Sequence, residues 1–526
     1  MNYDFLNNPN ANNNNNNNNV VIKRPAKIQA RLQLTSFFSG AATMILELTG
    51  SRLVAPFFGT SLIVWTALIG IIMTSLCIGN WLGGSTADRN PESKLLGRIL
   101  LFAAVIIAIT AFSSNFILTK LQELELNLYM SSVIASVIIF APASLLLGMV
   151  SPFVAKLAVK DLDSSGAVVG RLSALNSAGS ILGTFMGGFV LISLFPSGVI
   201  LMLLSSLVAL LSVIIYTGAW RMIIMLALAG GAYASLKFGL PFTPKGIQID
   251  TAYNHLSVID YDAKDTRTGR PLRVLVTNPE AAQSLMYLDK PSELVSGYTK
   301  FYDLAFHYKP DTKKILMLGG GGYCVPRYLL SERPDVKIDV VELDPGVTET
   351  ARKYFDLKDN PNMRIFHEDA RTFLNRAIRD GFDKYDAIFM DTFSSWISIP
   401  FQMTTVETAA RLRELLKPDG ALIVNIIAAL RGPKSGVFHG IYKAFASAFN
   451  TMMIFPVTFP DTQYAVLLQN IILVCMAENI SMVSSESGSA YASLLSHQWL
   501  EPFTPDPGIP AFTDAFAPVE RYTLMQ

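Results

Sequence analysis

The sequence predicts two parts in one chain: an α-helical bundle that spans a membrane, followed by a doubly wound α/β domain with a small β-sheet at its start. Three observations predict this division. Residues 32 to 240 carry few charges and contain long apolar segments, whereas the chain after Pro241 has the composition of a soluble domain. An apolar run then breaks into four glycines, Gly319 to Gly322. With 526 residues, the chain is long enough for more than one domain.

The N-terminal residues, 1–30, begin with a tract rich in asparagine that offers no apolar side chains to bury, and we expect this tract to be disordered. The net charge is +1 and no basic stripe stands out, which argues against a nucleic-acid partner. The three cysteines, Cys77, Cys324 and Cys475, lie far apart in the sequence. Because neither a disulfide nor a metal-ligand spacing is present, we expect reduced thiols and no metal.

Residues 31–241 are predicted to form the transmembrane bundle, with the lipid bilayer as their partner. A membrane-spanning helix needs about 20 mostly apolar residues. Small residues at Gly179 and Gly183 predict a close helix–helix contact. Seven segments have the required length and composition: 33–53, 62–83, 97–117, 132–154, 172–195, 197–217 and 221–240.

Two charged residues, Glu47 and Arg52, interrupt the first of these segments. Charged side chains are costly in hydrocarbon, so we expect both to face the interior of the bundle or an interface. Two interpretations remain open at this point. The pair either marks a path for a substrate or ion, or forms salt bridges at a helix end.

After the bundle, the spacing of apolar residues along the chain changes. Residues 246–290 contain short alternating segments, 255–260 and 273–277, that predict a small antiparallel sheet. Residues 291–526 are predicted to form the doubly wound domain, opening with a helix over 292–308. Helical stretches then separate five apolar runs of the length of buried strands, which favours a mostly parallel sheet. These runs are 315–318, 337–341, 363–366, 387–390 and 421–426.

Residues that could bind a cofactor or take part in catalysis follow four of these strands, at the edge where ligands of such sheets bind. The glycines at 319–322 let the backbone approach a cofactor. Glu342 ends the second strand and has two oxygens for two ribose hydroxyls. Asp369 follows the third strand and can accept from an adenine amine, while Ala370 leaves room for the ring. Asp391 ends the fourth strand, where a carboxylate faces the reacting atoms. The pattern predicts a nucleoside-cofactor site.

The segment from 246 to 478 resembles the spermidine synthase family of aminopropyltransferases, which have a Rossmann-like domain related to methyltransferases. More narrowly, the whole chain resembles the bacterial membrane-bound, transporter-fused spermidine synthase-like proteins. The matching positions are the glycine motif Leu318–Gly321, the ribose acid Glu342, the adenine-side acid Asp369, the catalytic aspartate Asp391, and Gln283 and Tyr298 beside the cofactor and amine pocket.

This resemblance implies the transfer of an aminopropyl group from decarboxylated S-adenosylmethionine to a polyamine, with methylthioadenosine as the coproduct. A sulfonium is a good leaving group, so the enzyme mainly positions a neutral amine for attack. Asp391, together with Tyr298, would hold the amine and accept its proton. A small-molecule amine or nucleoside is thus the expected partner, and homo-oligomerisation is left open.

Two positions depart from the family's pattern and keep alternatives open. Gly322 stands where the family carries an acid that binds the donor's ammonium, and Ser394 replaces a second aspartate. Both changes remove negative charge from a pocket for polycations. A second hypothesis is therefore an enzyme that uses S-adenosylmethionine itself, as a lyase or another alkyl transferase that yields methylthioadenosine. A third is a non-enzymatic sensor or carrier of a nucleoside or polyamine, coupled to the bundle.

The orientation in the membrane is a further expectation. Lys23, Arg24, Lys27 and Arg31 precede the first segment, which places the N-terminus in the cytoplasm. Seven full crossings would then leave the catalytic domain outside, away from a nucleoside cofactor. We expect a multi-pass protein of the bacterial inner membrane with a cytoplasmic catalytic domain. This arrangement requires one segment that does not cross fully, and residues 221–240 are the weakest candidate.

Overall fold

The computed structural model describes residues 26–59, 61–124, 126–159, 165–238, 246–251, 253–266, 268–278, 281–392, 399–478 and 491–524. The asparagine-rich tract and Ser394 lie outside these described residues, so their predicted features are not addressed below.

The first half is helical, as predicted. Its helices are α1 (Ala26–Phe58), α2 (Leu62–Arg89), α3 (Ser93–Glu123), α4 (Leu128–Ile139), α5 (Ala141–Gly148), α6 (Val150–Ala158), α7 (Ser165–Phe185), α8 (Ile192–Leu194), α9 (Ser197–Ile215) and α10 (Ala219–Phe238), with a π-helical turn at Met186–Leu191.

Among the described residues, six helical segments are long and apolar enough to cross a membrane: Leu62–Arg89, Ser93–Glu123, Ala141–Ala158, Ser165–Leu191, Ser197–Ile215 and Ala219–Lys237. The segment predicted to be weakest, 221–240, thus corresponds to the continuous helix α10. The first helix, α1, is not in this group although it is 33 residues long. Gln33, Glu47 and Arg52 lower the hydropathy of its apolar stretch.

Close contact between α1 and α7 requires glycine, as the small residues predicted. A Cβ atom built on Gly179 would lie 1.8 Å from the carbonyl oxygen of Phe37, and one on Gly183 would lie 2.5 Å from that of Ala41. Because real Cβ contacts are never this short, larger residues at these positions would push the two helices apart. The two glycines therefore set the distance between α1 and α7.

One end of the bundle carries basic side chains that join its helices. Lys156 of α6 forms an ion pair with Asp88 of α2 at 2.7 Å. Arg221 of α10 donates through Nη2 to the carbonyl of Lys94 in α3 at 2.9 Å. The ends of α2 and α6 and the beginnings of α3 and α10 therefore lie together.

The opposite end of the bundle contacts the α/β domain. There, Nε2 of Gln122, near the end of α3, donates to the carbonyl of Phe57, near the end of α1, at 3.4 Å. Nη1 of Arg52 in α1 donates to the carbonyl of Thr251 at the start of the α/β domain, at 2.7 Å. Arg52 therefore lies at an interface, as predicted, and this interface is with the α/β domain. The basic end of the bundle lies away from the α/β domain.

The small sheet is antiparallel, as predicted, and pairs its strands in chain order: β1 (Ile247–Asp250), β2 (His255–Tyr261), β3 (Leu272–Asn278) and β4 (Ala281–Tyr287). The helix predicted from residue 292 is wrong in its first part. Leu294 forms an antiparallel bridge with Met286, which holds this segment extended. A 3₁₀ helix, Gly297–Asp303, and the short helix α11, Leu304–Tyr308, follow instead.

The large sheet has the order β10-β11-β9-β8-β5-β6-β7, and β5 to β9 are parallel. The doubly wound prediction is confirmed, with β11 and β10 added antiparallel at one edge. Its strands are β5 (Lys314–Leu318), β6 (Lys337–Glu342), β7 (Met363–His367), β8 (Tyr385–Met390), β9 (Leu416–Ala428), β10 (Thr451–Pro456) and β11 (Gln469–Met476).

Helices cover both faces of this sheet, and each face has its own apolar core. Burial on both faces explains the continuous apolar strands of the sequence. The helices are α12 (Cys324–Glu332), α13 (Pro345–Tyr354), α14 (Ala370–Arg379), α15 (Val406–Leu415), α16 (Gly436–Phe445), α17 (Ala492–Leu495) and α18 (Val519–Leu524), with 3₁₀ turns at Ala263–Asp265, Phe401–Met403, Pro433–Ser435 and Thr462–Tyr464.

Candidate active site

A cavity of about 590 Å³ lies at the carboxyl ends of the parallel strands. All but one of the residues predicted to form the site line this cavity. They are Gln283, Tyr298, Gly319, Gly320, Gly321, Glu342, Asp369, Ala370 and Asp391. The exception is Gly322, which does not line it. Tertiary folding therefore brings together residues that are spread over more than a hundred positions of the sequence.

The glycine turn after β5 needs its glycines for two reasons. Gly319 has φ +96° and Gly321 has φ +51°, a region that side chains other than glycine rarely adopt. A Cβ atom on Gly319 would also lie 2.1 Å from the carbonyl oxygen of Asp391. This close approach joins the ends of β5 and β8 and sets the floor of the cavity.

Gly322 has a structural role in this turn rather than a place in the cavity. Its N–H donates to Oγ of Ser284 in β4 at 2.8 Å. A Cβ atom at this position would lie 2.8 Å from Cβ of Ser284 and 3.3 Å from the ring of Phe355. The contact between the turn and β4 therefore excludes the acidic side chain that the family carries here.

Glu342 is buried at the end of β6 and binds the glycine turn directly. Its Oε2 accepts hydrogen bonds from the N–H groups of Gly320 at 2.9 Å and Gly321 at 3.1 Å, and its Oε1 accepts from that of Asp344 at 3.0 Å. Burial raises the pKa of this carboxyl, and the three backbone donors act in the opposite direction. Because each carboxylate oxygen has two lone pairs and three of the four are used by these bonds, acceptor capacity remains for one ribose hydroxyl rather than the two expected from the sequence.

Asp369 both caps the start of a helix and lines the cavity. Its Oδ1 accepts from the N–H of Thr372 at 3.0 Å and so caps the start of α14. Its Oδ2 accepts from Nε2 of Gln402 at 3.4 Å. Ala370 follows as the first residue of α14, and its small side chain leaves the cavity open beside Asp369.

Asp391 lies just beyond β8, surrounded by polar groups. Nδ2 of Asn425 donates to Oδ1 of Asp391 at 2.9 Å, and Nδ2 of Asn470 donates to Oδ1 of Asn425 at 2.9 Å. Burial raises the pKa of the Asp391 carboxyl, whereas hydrogen bonding to Asn425, Tyr298 and Tyr302 lowers it. The net shift is upward, which makes the carboxylate a stronger base than an exposed aspartate.

Two tyrosines stand beside this carboxyl. Burial, and then the charge of Asp391, raise the pKa of both Tyr298 and Tyr302 well above its ordinary value, so both phenols stay protonated. The Tyr302 hydroxyl lies close enough to Asp391 to lower the pKa of that carboxyl, but the geometry of the two groups falls short of a full hydrogen bond.

Sequence reasoning missed Tyr302, Asn425 and Asn470. A signal for Asn425 was present, because a single amide interrupts the apolar run of β9. Asn470 lies near the start of β11, where a polar residue is ordinary. Its role depends on the antiparallel pairing of β11 with β9 and could not be read from the sequence.

The cavity has an acidic lining, in which one carboxylate, that of Glu368, forms an ion pair with Arg376 at 2.5 Å. Five carboxylates line it, those of Glu342, Glu368, Asp369, Asp391 and Glu520, and no Lys, Arg or His does among the described residues. Carboxylates within a few ångströms of an ammonium or sulfonium lower the free energy of the cation. The pocket therefore retains a preference for cations without an acid at residue 322.

Two buried polar atoms in the lining are available to a hydrogen-bond donor of a ligand. Oε1 of Gln283 and Oγ1 of Thr392 are buried without a hydrogen-bond partner among the described residues. An unsatisfied buried acceptor costs about 1–3 kcal/mol, which a ligand donor would recover. Within the described part of the chain, no cluster of His, Cys, Asp and Glu has an arrangement that could hold a metal ion.

Known proteins are similar in sequence to the part of the chain that forms this site. Residues 299–470 match the sequence model of the spermine/spermidine synthase domain. The α/β part of the chain contains a spermidine synthase domain. The polyamine aminopropyltransferase of Vibrio vulnificus (strain CMCP6) is 30% identical over 169 residues, which cover 32% of this chain and 56% of that protein. The chain thus spans just over half the length of this relative.

Other relatives match shorter parts of the domain. The probable polyamine aminopropyl transferase of Bifidobacterium longum (strain NCC 2705) is 35% identical over 111 residues, 21% of this chain and 23% of that protein. The eEF1A lysine and N-terminal methyltransferase homolog of Drosophila melanogaster is 26% identical over 147 residues, 26% of this chain and 21% of that protein.

Solved structures overlap with the α/β part at low scores. A probable spermidine synthase from Corynebacterium glutamicum ATCC 13032 has a TM-score of 0.41 and 21% identity, covering 52% of this chain and 97% of that one. Human methyltransferase-like protein 13, in complex with SAH, has a TM-score of 0.30 and 18% identity, with 44% and 94% covered. At these scores, the function has to be inferred from the chemistry of the site.

Proposed function

We propose that the α/β domain transfers an aminopropyl group from decarboxylated S-adenosylmethionine to a polyamine or another amine, with release of methylthioadenosine. The observation that carries this proposal is the cavity with five carboxylates and no basic side chain among its described lining residues, built around Asp391. Both substrates of such a reaction are cations. The match of residues 299–470 to the spermidine synthase domain supports the same reaction class.

The proposed reaction is a single displacement. The lone pair of the acceptor nitrogen attacks the methylene carbon that is bonded to the sulfonium, and a C–N bond forms. The C–S bond breaks, and its electron pair neutralises the sulfur to give methylthioadenosine. Asp391 takes the proton from the new ammonium, and its raised pKa suits this task. The phenol of Tyr298, beside Asp391, orients the amine.

The donor is proposed to bind along the strand ends. Glu342, already fixed by the glycine turn, would accept from one ribose hydroxyl through Oε1, and Asp369 from the adenine amine. Ala370 leaves space for the ring. The unpartnered Oε1 of Gln283 would accept from a ligand hydroxyl or ammonium.

Gly322 supports a second candidate, an enzyme that uses S-adenosylmethionine itself. The contact of this residue with Ser284 leaves no room for an acid. An acid at this position would repel the carboxylate that distinguishes S-adenosylmethionine from its decarboxylated form. Without it, cleavage of S-adenosylmethionine to methylthioadenosine, or transfer of another alkyl group, is the alternative. A nucleoside or polyamine sensor is a third candidate, supported by the contact between Arg52 of the bundle and the α/β domain.

The test uses the purified full-length protein with each donor, with and without putrescine, and measures methylthioadenosine. Product formed only from decarboxylated donor plus amine supports the aminopropyltransferase. Product from S-adenosylmethionine without amine supports the lyase instead. Tight binding of a nucleoside with no product in any mixture would leave the sensor.

For the location, we propose a multi-pass protein of the bacterial inner membrane. A cytoplasmic α/β domain stays a prediction, made because a nucleoside donor is a cytoplasmic metabolite. The charge distribution favours the opposite orientation, because Lys94, Lys156 and Arg221 lie at the far end of the bundle. Protease digestion of intact spheroplasts and of inverted vesicles decides between them, since only the exposed domain is cleaved.

A further inference from the structure

We propose, on the basis of the function proposed above, that Arg52 in α1, the first helix of the bundle, is a positioning residue for the donor site of the α/β domain. The Arg52 guanidinium donates to the carbonyl of Thr251 at 2.7 Å. Asp250 and Asp344 also lie within electrostatic range of this guanidinium. Charge-assisted hydrogen bonds are roughly twice as strong as neutral ones, so this contact anchors the segment that follows β1.

The anchored segment is the turn between β1 and β2, which forms part of the cavity wall. Tyr253 and Asn254 of this turn line the cavity. Oγ1 of Thr251 makes a short hydrogen bond to Oδ2 of Asp344, and Nδ2 of Asn254 donates to the same oxygen at 2.8 Å. The turn is thus held by the bundle on one side and by Asp344 on the other.

Asp344 links this turn to Glu342, the carboxylate proposed to bind the ribose. Its side chain is fully buried and caps α13 by accepting from the N–H of Gly346 at 2.9 Å. Its own N–H donates to Oε1 of Glu342 at 3.0 Å. The fit is tight, because a Cβ atom on Gly346 would lie 2.4 Å from Cγ2 of Thr251. A continuous set of bonds therefore runs from Arg52 through Thr251 and Asp344 to Glu342.

A second contact ties the bundle to the same cavity. The N–H of Leu62, the first residue of α2, donates to Oε1 of Glu520 at 3.0 Å. The position is favourable for a carboxylate, since the N-terminus of a helix carries partial positive charge. Glu520 and the neighbouring Ser61 both line the cavity. The end of α1 and the start of α2 thus support two walls of the donor site, and movement of either helix would displace them.

The inference predicts that loss of the guanidinium weakens donor binding rather than the chemical step. In full-length protein, Arg52→Gln should raise the dissociation constant of methylthioadenosine about tenfold, equivalent to about 1.4 kcal/mol. The KM of the donor should rise by a similar factor while kcat changes little. Arg52→Lys keeps the charge without the planar fork, and it should recover part of the affinity.

Arg221→Gln is the matched control. Arg221 is another arginine of the bundle that donates to two backbone carbonyls, those of Tyr216 at 3.0 Å and Lys94 at 2.9 Å, but it lies at the opposite end. Its replacement should leave the dissociation constant of methylthioadenosine unchanged. Calorimetric titration measures all variants, and thermal unfolding reports whether the bundle remains folded.

Thr251→Val provides a second measurement if Arg52→Gln does not fold. It removes the hydroxyl that joins the turn to Asp344 and should raise the same constant. Wild-type affinity in either folded variant would overturn the inference while the proposed function stands. A wild-type protein that binds no methylthioadenosine would instead count against the proposed function. In the double variant Arg52→Gln/Thr251→Val, the dissociation constant of methylthioadenosine should rise no further than in one of the single variants. That result would support one path from Arg52 through Thr251 to the donor site.

Discussion

The amide of Asn425 donates to the carboxyl of Asp391 at 2.9 Å, and this pair lies where the carboxyl ends of β8 and β9 meet the cavity. The amide restricts the orientation of the carboxyl. Asn470 holds the other end of the amide from β11, so three strands determine the orientation of one carboxylate. The first two predictions concern this pair.

Asp391→Asn should lower turnover by about 10²–10⁴-fold, because the amide cannot accept the amine proton. Binding of methylthioadenosine should persist, since the ribose and adenine contacts are unchanged. Asp386→Asn is the control: it removes a buried aspartate from the other end of the same strand, where it pairs with Lys417 at 2.7 Å. That variant should lose stability but keep kcat. Full turnover in Asp391→Asn would contradict the proposed base.

Asn425→Asp should move the acid limb of the pH–rate profile to higher pH. Burial already raises the pKa of Asp391, and a base must be deprotonated to act, so activity rises as the pH passes this pKa. A second carboxylate in contact raises the pKa of the pair further, by about one unit or more. Asn450→Asp, at a surface turn before β10, should leave the profile in place. An unchanged acid limb in Asn425→Asp would show that another group limits the rate.

Gly319→Ala should destabilise the α/β domain by several kcal/mol and abolish donor binding. The new Cβ atom would meet the Asp391 carbonyl at 2.1 Å, and the positive φ adds a strain of about 1–3 kcal/mol. Gly381→Ala separates the two effects, because Gly381 has φ +67° but open space around its Cα. Gly381→Ala should lower the stability only by the backbone strain at positive φ. Denaturant unfolding compares the two variants, and equal losses would refute the steric explanation.

Gly179→Leu should separate α1 from α7 and destabilise the bundle, since even a Cβ atom would lie 1.8 Å from the Phe37 carbonyl. Gly170→Leu on the same helix is the control, because nothing lies within 4 Å of a Cβ atom there. Thermal unfolding in detergent should show a lower midpoint for the first variant alone. Similar midpoints for both would mean that α1 and α7 are not in the contact described.

Much of the fold could be predicted because its signals are local. Apolar segments of membrane-spanning length and continuous apolar strands follow from which side chains each element buries. The helix predicted from residue 292 failed because Leu294 pairs with Met286, a tertiary contact that overrides local preference. The segment 132–154 is predicted to be one span, but the helix is interrupted at Phe140, and the segment of span length is Ala141–Ala158.

The sequence by itself determined the division into a helical bundle and a doubly wound α/β domain, and it located the glycine turn after the first parallel strand and the acids at the ends of the next three. Only the tertiary structure decided how these acids act, because their environment comes from distant strands and helices. Sheet pairing brings Asn425 to Asp391 and Asn470 to Asn425, and Gly322 faces Ser284 instead of the cavity. The path from Arg52 to Glu342 likewise depends on the packing of α1 against a turn about two hundred residues later, which no local pattern encodes.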